Sequence, residues 1–135
     1  MLKVLGLTSS LSVFISLISV SSLALASKVN WVEFTPSQSG DRVFLDVNSI
    51  RKKKGTREVT YKVRHTYSKA TSNGVVRSNA VYTAYCDVNG QRLKEFTAYN
   101  ISNRIVQSTK NSQEPLEQVT VGSLNYSAFK YACSR

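Results

Sequence analysis

From residue 58 to residue 68 the chain alternates without a break. Val59, Tyr61, Val63, His65 and Tyr67 point one way; Glu58, Thr60, Lys62, Arg64, Thr66 and Ser68 point the other. Strict period-two alternation predicts a strand with one face against a core and the other in water. The same reading extends in both directions. Residues 29–35 alternate, residues 36–41 carry turn chemistry, and residues 42–47 form a second short strand. Downstream, residues 70–74 read as a loop and residues 75–88 as a long fourth strand. Asn89-Gly90 follows at once, a two-residue hairpin signal because both positions tolerate positive φ. Residues 91–101 form the fifth strand, Ser102-Asn103 a turn, and residues 104–108 the sixth. Consecutive strands with short connections predict an antiparallel meander.

Near the C-terminus the period changes. Leu124, Ala128 and Ala132 fall four residues apart, with Phe129 and Cys133 beside them, which makes one apolar stripe on a helix over about 124–132. Ser123 is the expected N-cap, and Lys130 and Arg135 suit the negative end of the helix dipole. Residues 109–117 are polar and read as a loop. The fold class is therefore α+β, mainly β: an antiparallel meander of about six strands with one C-terminal helix.

The first 26 residues follow neither period. Lys3 gives a positive start, residues 4–20 are apolar with interspersed serines, and Leu23-Ala24-Leu25-Ala26 ends in a small-x-small pattern. That is the form of a cleaved signal peptide, and the serines and absent basic flank argue against a spanning helix. Removing residues 1–26 from 135 leaves 109, a single domain over 27–135, and losing Lys3 takes the net charge from +10 to +9. No cysteine lies near Ala26, so a lipid anchor is not expected, and the mature chain holds no spanning segment. The expected location is periplasmic, cell-surface or secreted. Export also bears on the two cysteines, Cys86 and Cys133: disulfides persist outside the cytosol, so a bond between them is favoured. It would staple the helix to the end of the fourth strand. The rival reading, a catalytic thiol, would need a paired histidine, and His65 is the only histidine present.

The charge is concentrated. Arg51, Lys52, Lys53, Lys54 and Arg57 place five cations within seven residues around Gly55, a projecting loop able to attract anionic polymers. Alternatively, it is a solvated turn whose charges keep sheet edges from pairing. Lys62 and Arg64, on the wet face of the third strand, extend the patch; whether Arg77 joins them depends on which face of the fourth strand is wet. Interleaved tyrosines and cations also raise single-strand nucleic-acid binding. Tyr61 and Tyr67 share a face with Val59 and Val63, however, so burial is favoured and nucleic acid is not the expected partner. Enzyme readings find little. His65 falls on the apolar face, as a satisfied core histidine does, and Asp46 with Asn48 and Ser49 reads as turn capping rather than part of a nucleophilic set. With no glycine-rich phosphate loop, calcium-loop spacing or zinc-ligand spacing, neither cofactor nor metal is expected.

With its elements placed, the mature chain resembles the surface-adhesin protein E-like family of small exported bacterial proteins. The landmarks are Trp31, then Val43-Phe44-Leu45-Asp46 followed by Ser49-Ile50-Arg51. Further on stand Tyr85-Cys86 before a hairpin, Gln91-Arg92-Leu93, Tyr99, and Gly122-Ser123 ahead of a helix ending at Cys133. The resemblance implies an antiparallel sheet with a helix tied across it by the disulfide, and an adhesin-like role toward extracellular-matrix and plasma proteins. It brings no catalytic residues. The chain departs from the family in lacking an anchoring cysteine, in having Leu116 where tryptophan is frequent, and in having Val121 where proline precedes Gly-Ser. The expected function is an exported, non-enzymatic binding module that contacts an anionic polymer or an extracellular or envelope protein through the basic loop. The alternative is a periplasmic structural or chaperone-like protein that binds protein partners at sheet edges.

Overall fold

The computed structural model describes residues 28–34 and 39–135; the expected leader over 1–26 and part of the turn expected at 36–41 lie outside the described residues. Strands β1 (Trp31–Phe34), β2 (Arg42–Lys52), β3 (Glu58–Thr66), β4 (Val75–Tyr85), β5 (Gly90–Asn100) and β6 (Ile105–Thr109) lie side by side in chain order. Every pairing is antiparallel. The expected meander is what forms. A two-residue β7 (Glu117–Gln118) returns to pair with the first two residues of β5, and α1 (Tyr126–Cys133) closes the chain.

Alternation sorts the sheet into two faces. Val43 and Leu45 of β2, Val59, Tyr61 and Val63 of β3, and Ala80 and Ala84 of β4 form one core with Ala128, Phe129 and Ala132 of α1. The alanines on both surfaces leave room for the helix to approach, and Phe129, 1% exposed, supplies bulk. Among the described residues, no helix lies over the other face of the sheet. Cys86 and Cys133 form the expected disulfide, with Cα atoms 5.7 Å apart. It joins the β4–β5 turn to the last residue of α1.

Three local expectations are corrected. The second strand does not stop at Val47 but runs on through Arg51 and Lys52 into the basic run. A register shift between Asp46 and Arg51 absorbs Asn48-Ser49-Ile50 without ending the pairing. There the Ser49 hydroxyl accepts from the Lys62 N–H at 2.9 Å in place of a backbone carbonyl. The β4–β5 connection is a four-residue turn over 86–89, because Tyr85 pairs directly with Gly90. Asn89 takes positive φ (49°), whereas at Gly90 a Cβ would meet the Leu116 side chain at 2.9 Å and force it to shift. The helix begins at Tyr126 with Asn125 as its N-cap, and no side chain caps it. The Asn125 side chain is engaged by His65 instead, 2.6 Å away.

Candidate functional site

The basic run is the β2–β3 hairpin. Its backbone closes on itself: the Lys53 N–H donates to the Glu58 carbonyl at 3.0 Å and the Thr56 N–H to the Lys53 carbonyl at 3.1 Å. Gly55 sits at φ +76°, a left-handed position that favours glycine. The Thr56 hydroxyl donates to the Lys53 carbonyl and accepts from the Glu58 N–H. With these backbone groups satisfied internally, the exposed Lys54 and Arg57 side chains face solvent rather than pinning the turn. Lys53 pairs with Glu58 at 3.5 Å, which bends one charge back toward the sheet.

Register divides the rest of the run. Arg51 lies opposite Thr60 and therefore on the open face, its guanidinium donating to the Asn48 and Ile50 carbonyls at 2.9 Å. Lys52 lies opposite Val59, on the helix side. There it lines a hollow of about 450 Å³ with Val47, Ile50, Tyr131 and Arg135. Arg135, stacked 4.5 Å from the Tyr131 ring, thus joins the cationic end. Sequence reasoning assigned it only to the helix dipole. The signal that would have found it is the disulfide, which fixes the helix C-terminus beside the sheet.

Lys62 and Arg64 are not in the loop but on the open face, along with Arg77, whose position opposite Thr66 settles the question left by β4. The face has a character that the sequence does not announce: arginines stacked on aromatic rings. Arg64 lies 4.4 Å from the Trp31 ring centroid, Arg77 4.4 Å from Tyr99, Arg42 4.9 Å from Phe44 and Arg92 5.9 Å from Tyr85. Such stacking holds a guanidinium flat and in place while its N–H groups remain available to acceptors. Arg42 is neutralised by Glu33 through two bonds of 2.7 and 2.6 Å. Arg64 and Arg77 have no carboxylate partner among the described residues. Burial, and then the nearby Arg77 charge, hold the Arg64 guanidinium below its usual pKa. Arg77 Nε is shielded from water and has no acceptor among the described residues.

The residues weighed for catalysis are engaged in other ways. Asp46, 5% exposed, accepts from the Asn30 and Asn48 N–H groups at 2.9 and 3.1 Å, the turn capping expected of it. His65 lies on the core side, bonded through Nε2 to Asn125, so Asp46 and His65 occupy opposite faces of the sheet. The Ser49 hydroxyl donates to the Asp46 carbonyl at 2.6 Å. Among the described residues, no three His, Cys, Asp or Glu side chains come together as a metal site would need. No helix there is long and apolar enough to cross a membrane.

His65 instead makes stability depend on pH. Burial lowers its pKa below the ordinary 6.5, against smaller opposing effects of the Asn125 bond and the Asp41 charge. The unfolded chain therefore takes up the proton first as pH falls. Stability is complete above about 6.5 and declines below it until the folded-state value is passed. The carboxylates of Glu33 and Asp41 are also held low, so their contribution is lost only in the acid range. Melting temperature should fall as pH drops below about 6.5, and His65→Gln should flatten that segment of the curve. An unchanged slope would remove His65 as its source.

Two comparisons bear on this architecture. The family model described as surface-adhesin protein E matches residues 31–134. The solved structure of Haemophilus influenzae protein E is similar with a TM-score of 0.55 at 11% identity, covering 83% of this chain and 91% of that one. A second crystal form of that protein matches with the same score and identity, covering 83% and 94%. At such identity the likeness is one of fold. No curated protein sequence matches.

Proposed function

The chain belongs to the surface-adhesin protein E family, and from that membership and its cationic end we propose that it is an exported binding module of the cell envelope or surface. Its reading as a non-enzymatic protein rests on the family and on the engagement of Asp46, Ser49 and His65 in structural bonds. The leader over 1–26 belongs to this proposal: it delivers a domain of 27–135 across the membrane, where the Cys86–Cys133 bond persists.

The observation that carries the reading is the β2–β3 hairpin. A turn that meets its own backbone bonding leaves Lys54 and Arg57 projecting, with Arg51 and Lys52 below them on opposite sides and Arg135 behind. Lys62 and Arg64 continue the positive charge onto the open face. Charges gathered this way attract an anionic polymer, or an acidic surface of an extracellular protein, from beyond contact distance. The test is Lys52→Ala, Lys53→Ala and Lys54→Ala combined. Removing three cations from an exposed turn should leave the melting temperature within a few degrees, as expected for surface changes, and weaken binding to a sulfated polysaccharide more than about tenfold, or 1.4 kcal/mol. Unchanged affinity would take the hairpin out of the site.

One observation favours the second reading, a protein partner at the sheet edge. Among the described residues β6 pairs with β5 alone; it carries no charged residue and exposes Ile105 at 62% and Val106 at 39%. An uncharged, apolar edge is a template for an added strand. Binding that ignored salt and the hairpin variant, but failed on Gln107→Pro, would select that surface.

A further inference from the structure

The open face holds a groove of about 330 Å³ that none of residues 51–57 lines. Two cross-strand rows form its floor: Arg64, Asn79 and Thr97 in one, and Asp46, Lys62, Val81 and Glu95 in the next. Trp31 and Val29 close one side. The groove is built rather than incidental. Arg64 is stacked on Trp31 at 4.4 Å, and its Nε donates to Asn79 Oδ1 at 3.1 Å. The guanidinium is thereby fixed, with its remaining N–H groups free for an acceptor, and the Asn79 amide is left as a donor.

Its charges narrow what fits. Lys62 and Arg64 call for an anion. Asp46 is occupied by two backbone N–H groups, but Glu95 is exposed and has no partner among the described residues. A polyphosphate or a densely sulfated chain would bring negative charge against Glu95. A single carboxylate surrounded by hydroxyls would not, because hydroxyls donate to a carboxylate oxygen. The apolar surface of Trp31, Val29 and Val81 suits the C–H face of a sugar ring rather than another charge. We infer that this groove binds a carboxylated sugar unit of the hexuronate kind. Lys62 and Arg64 hold its carboxylate, Asn79 and Glu95 bond its hydroxyls, and Trp31 with Val81 flanks its ring. Because the hairpin lies outside the groove, this inference and the proposed role of the hairpin stand or fall separately.

Trp31 is the only tryptophan in the chain, so its fluorescence reports the groove directly. The exported protein would be titrated with D-glucuronate, with glucose and with sodium sulfate. Glucuronate should shift Trp31 emission saturably, glucose should act roughly tenfold or more weakly, and sulfate should give no saturable change; the loss of one charge-assisted hydrogen bond is worth about that factor. Arg64→Gln and Lys62→Gln should each weaken glucuronate by roughly tenfold or more, whereas the triple hairpin variant should leave it unchanged. Glu95→Lys lies on an exposed position that leaves the core intact; by replacing the repelling carboxylate with a cation it should admit sulfate. The inference is overturned if glucuronate gives no saturable shift, if sulfate binds the unaltered protein as well as glucuronate does, or if Glu95→Lys leaves the sulfate affinity unchanged.

Discussion

Replacing Cys86 and Cys133 by serine is expected to lower the stability of this domain by about 4 kcal/mol. The two positions are 47 apart in sequence, and closing a loop of that size in the unfolded chain is worth about that much in the chain-entropy model. For a domain of roughly a hundred residues, whose whole stability is about 5–15 kcal/mol, the loss is a large fraction. It corresponds to a fall in melting temperature of about 15–30 °C. The structure adds a local reason. The bond ties the β4–β5 turn to the last residue of an eight-residue helix that has no side-chain cap and no acidic residue in its first turn. A helix that short is not stable on its own, so it depends on its packed face and its tether. Differential scanning calorimetry of the double serine variant measures the effect directly. A drop of only a few degrees would mean that the helix is held by packing alone.

Phe129→Ala should cost about the same, 3–5 kcal/mol, by a different route. Phe129 is the largest helix residue in the core and is 1% exposed. Its neighbours in the cluster include Ala80, Ala84, Ala128 and Ala132, which have no side-chain length with which to fill the space. The cavity left behind would therefore persist rather than collapse, which sets the upper end of the range. Urea unfolding of this variant should show a midpoint shift at nearly constant slope. Phe129→Leu should recover more than half of the loss, because it returns most of the buried volume. Equal destabilisation by both variants would point to the ring itself rather than its volume.

The parts of the fold that the sequence made legible are those governed by local period. The alternation of β3, the order of the strands and the apolar stripe of the helix all depend on residues a few positions apart, and all form as expected. What was not legible depends on partners distant in the chain. β2 continues past Val47 because Ser49 offers its hydroxyl to Lys62 on the neighbouring strand, so a turn-like tripeptide is carried as an irregularity within the pairing. Ser123 is not the cap because the helix starts three residues later, at Tyr126. Asn125, in the capping position, is bonded to His65, sixty residues away in sequence.

The same division applies to the candidate site. The hairpin cations were visible as a run, because their density is a one-dimensional property. Arg135 and the arginine–aromatic stacks were not, because Trp31 meets Arg64 only through the intervening register of β2, and Arg77 meets Tyr99 only through that of β5. The tyrosines divide accordingly. Tyr61 is fully buried, its hydroxyl donating to Gln91 in the core, whereas Tyr85 and Tyr99 serve as platforms for cations on the open face. Residue type alone gave no means of separating these uses.

The binding proposed for this protein runs through charge displayed at one end of its sheet. Binding of the protein to a sulfated polysaccharide and to extracellular-matrix protein would be measured at about 0.1 M and about 1 M salt. The screening length falls from about 10 Å to about 3 Å between these conditions. Binding at low salt should fall more than about tenfold at high salt, with most of that salt sensitivity gone in the variant lacking Lys52, Lys53 and Lys54. Binding equally strong at both salt concentrations, and unaltered in that variant, would contradict it.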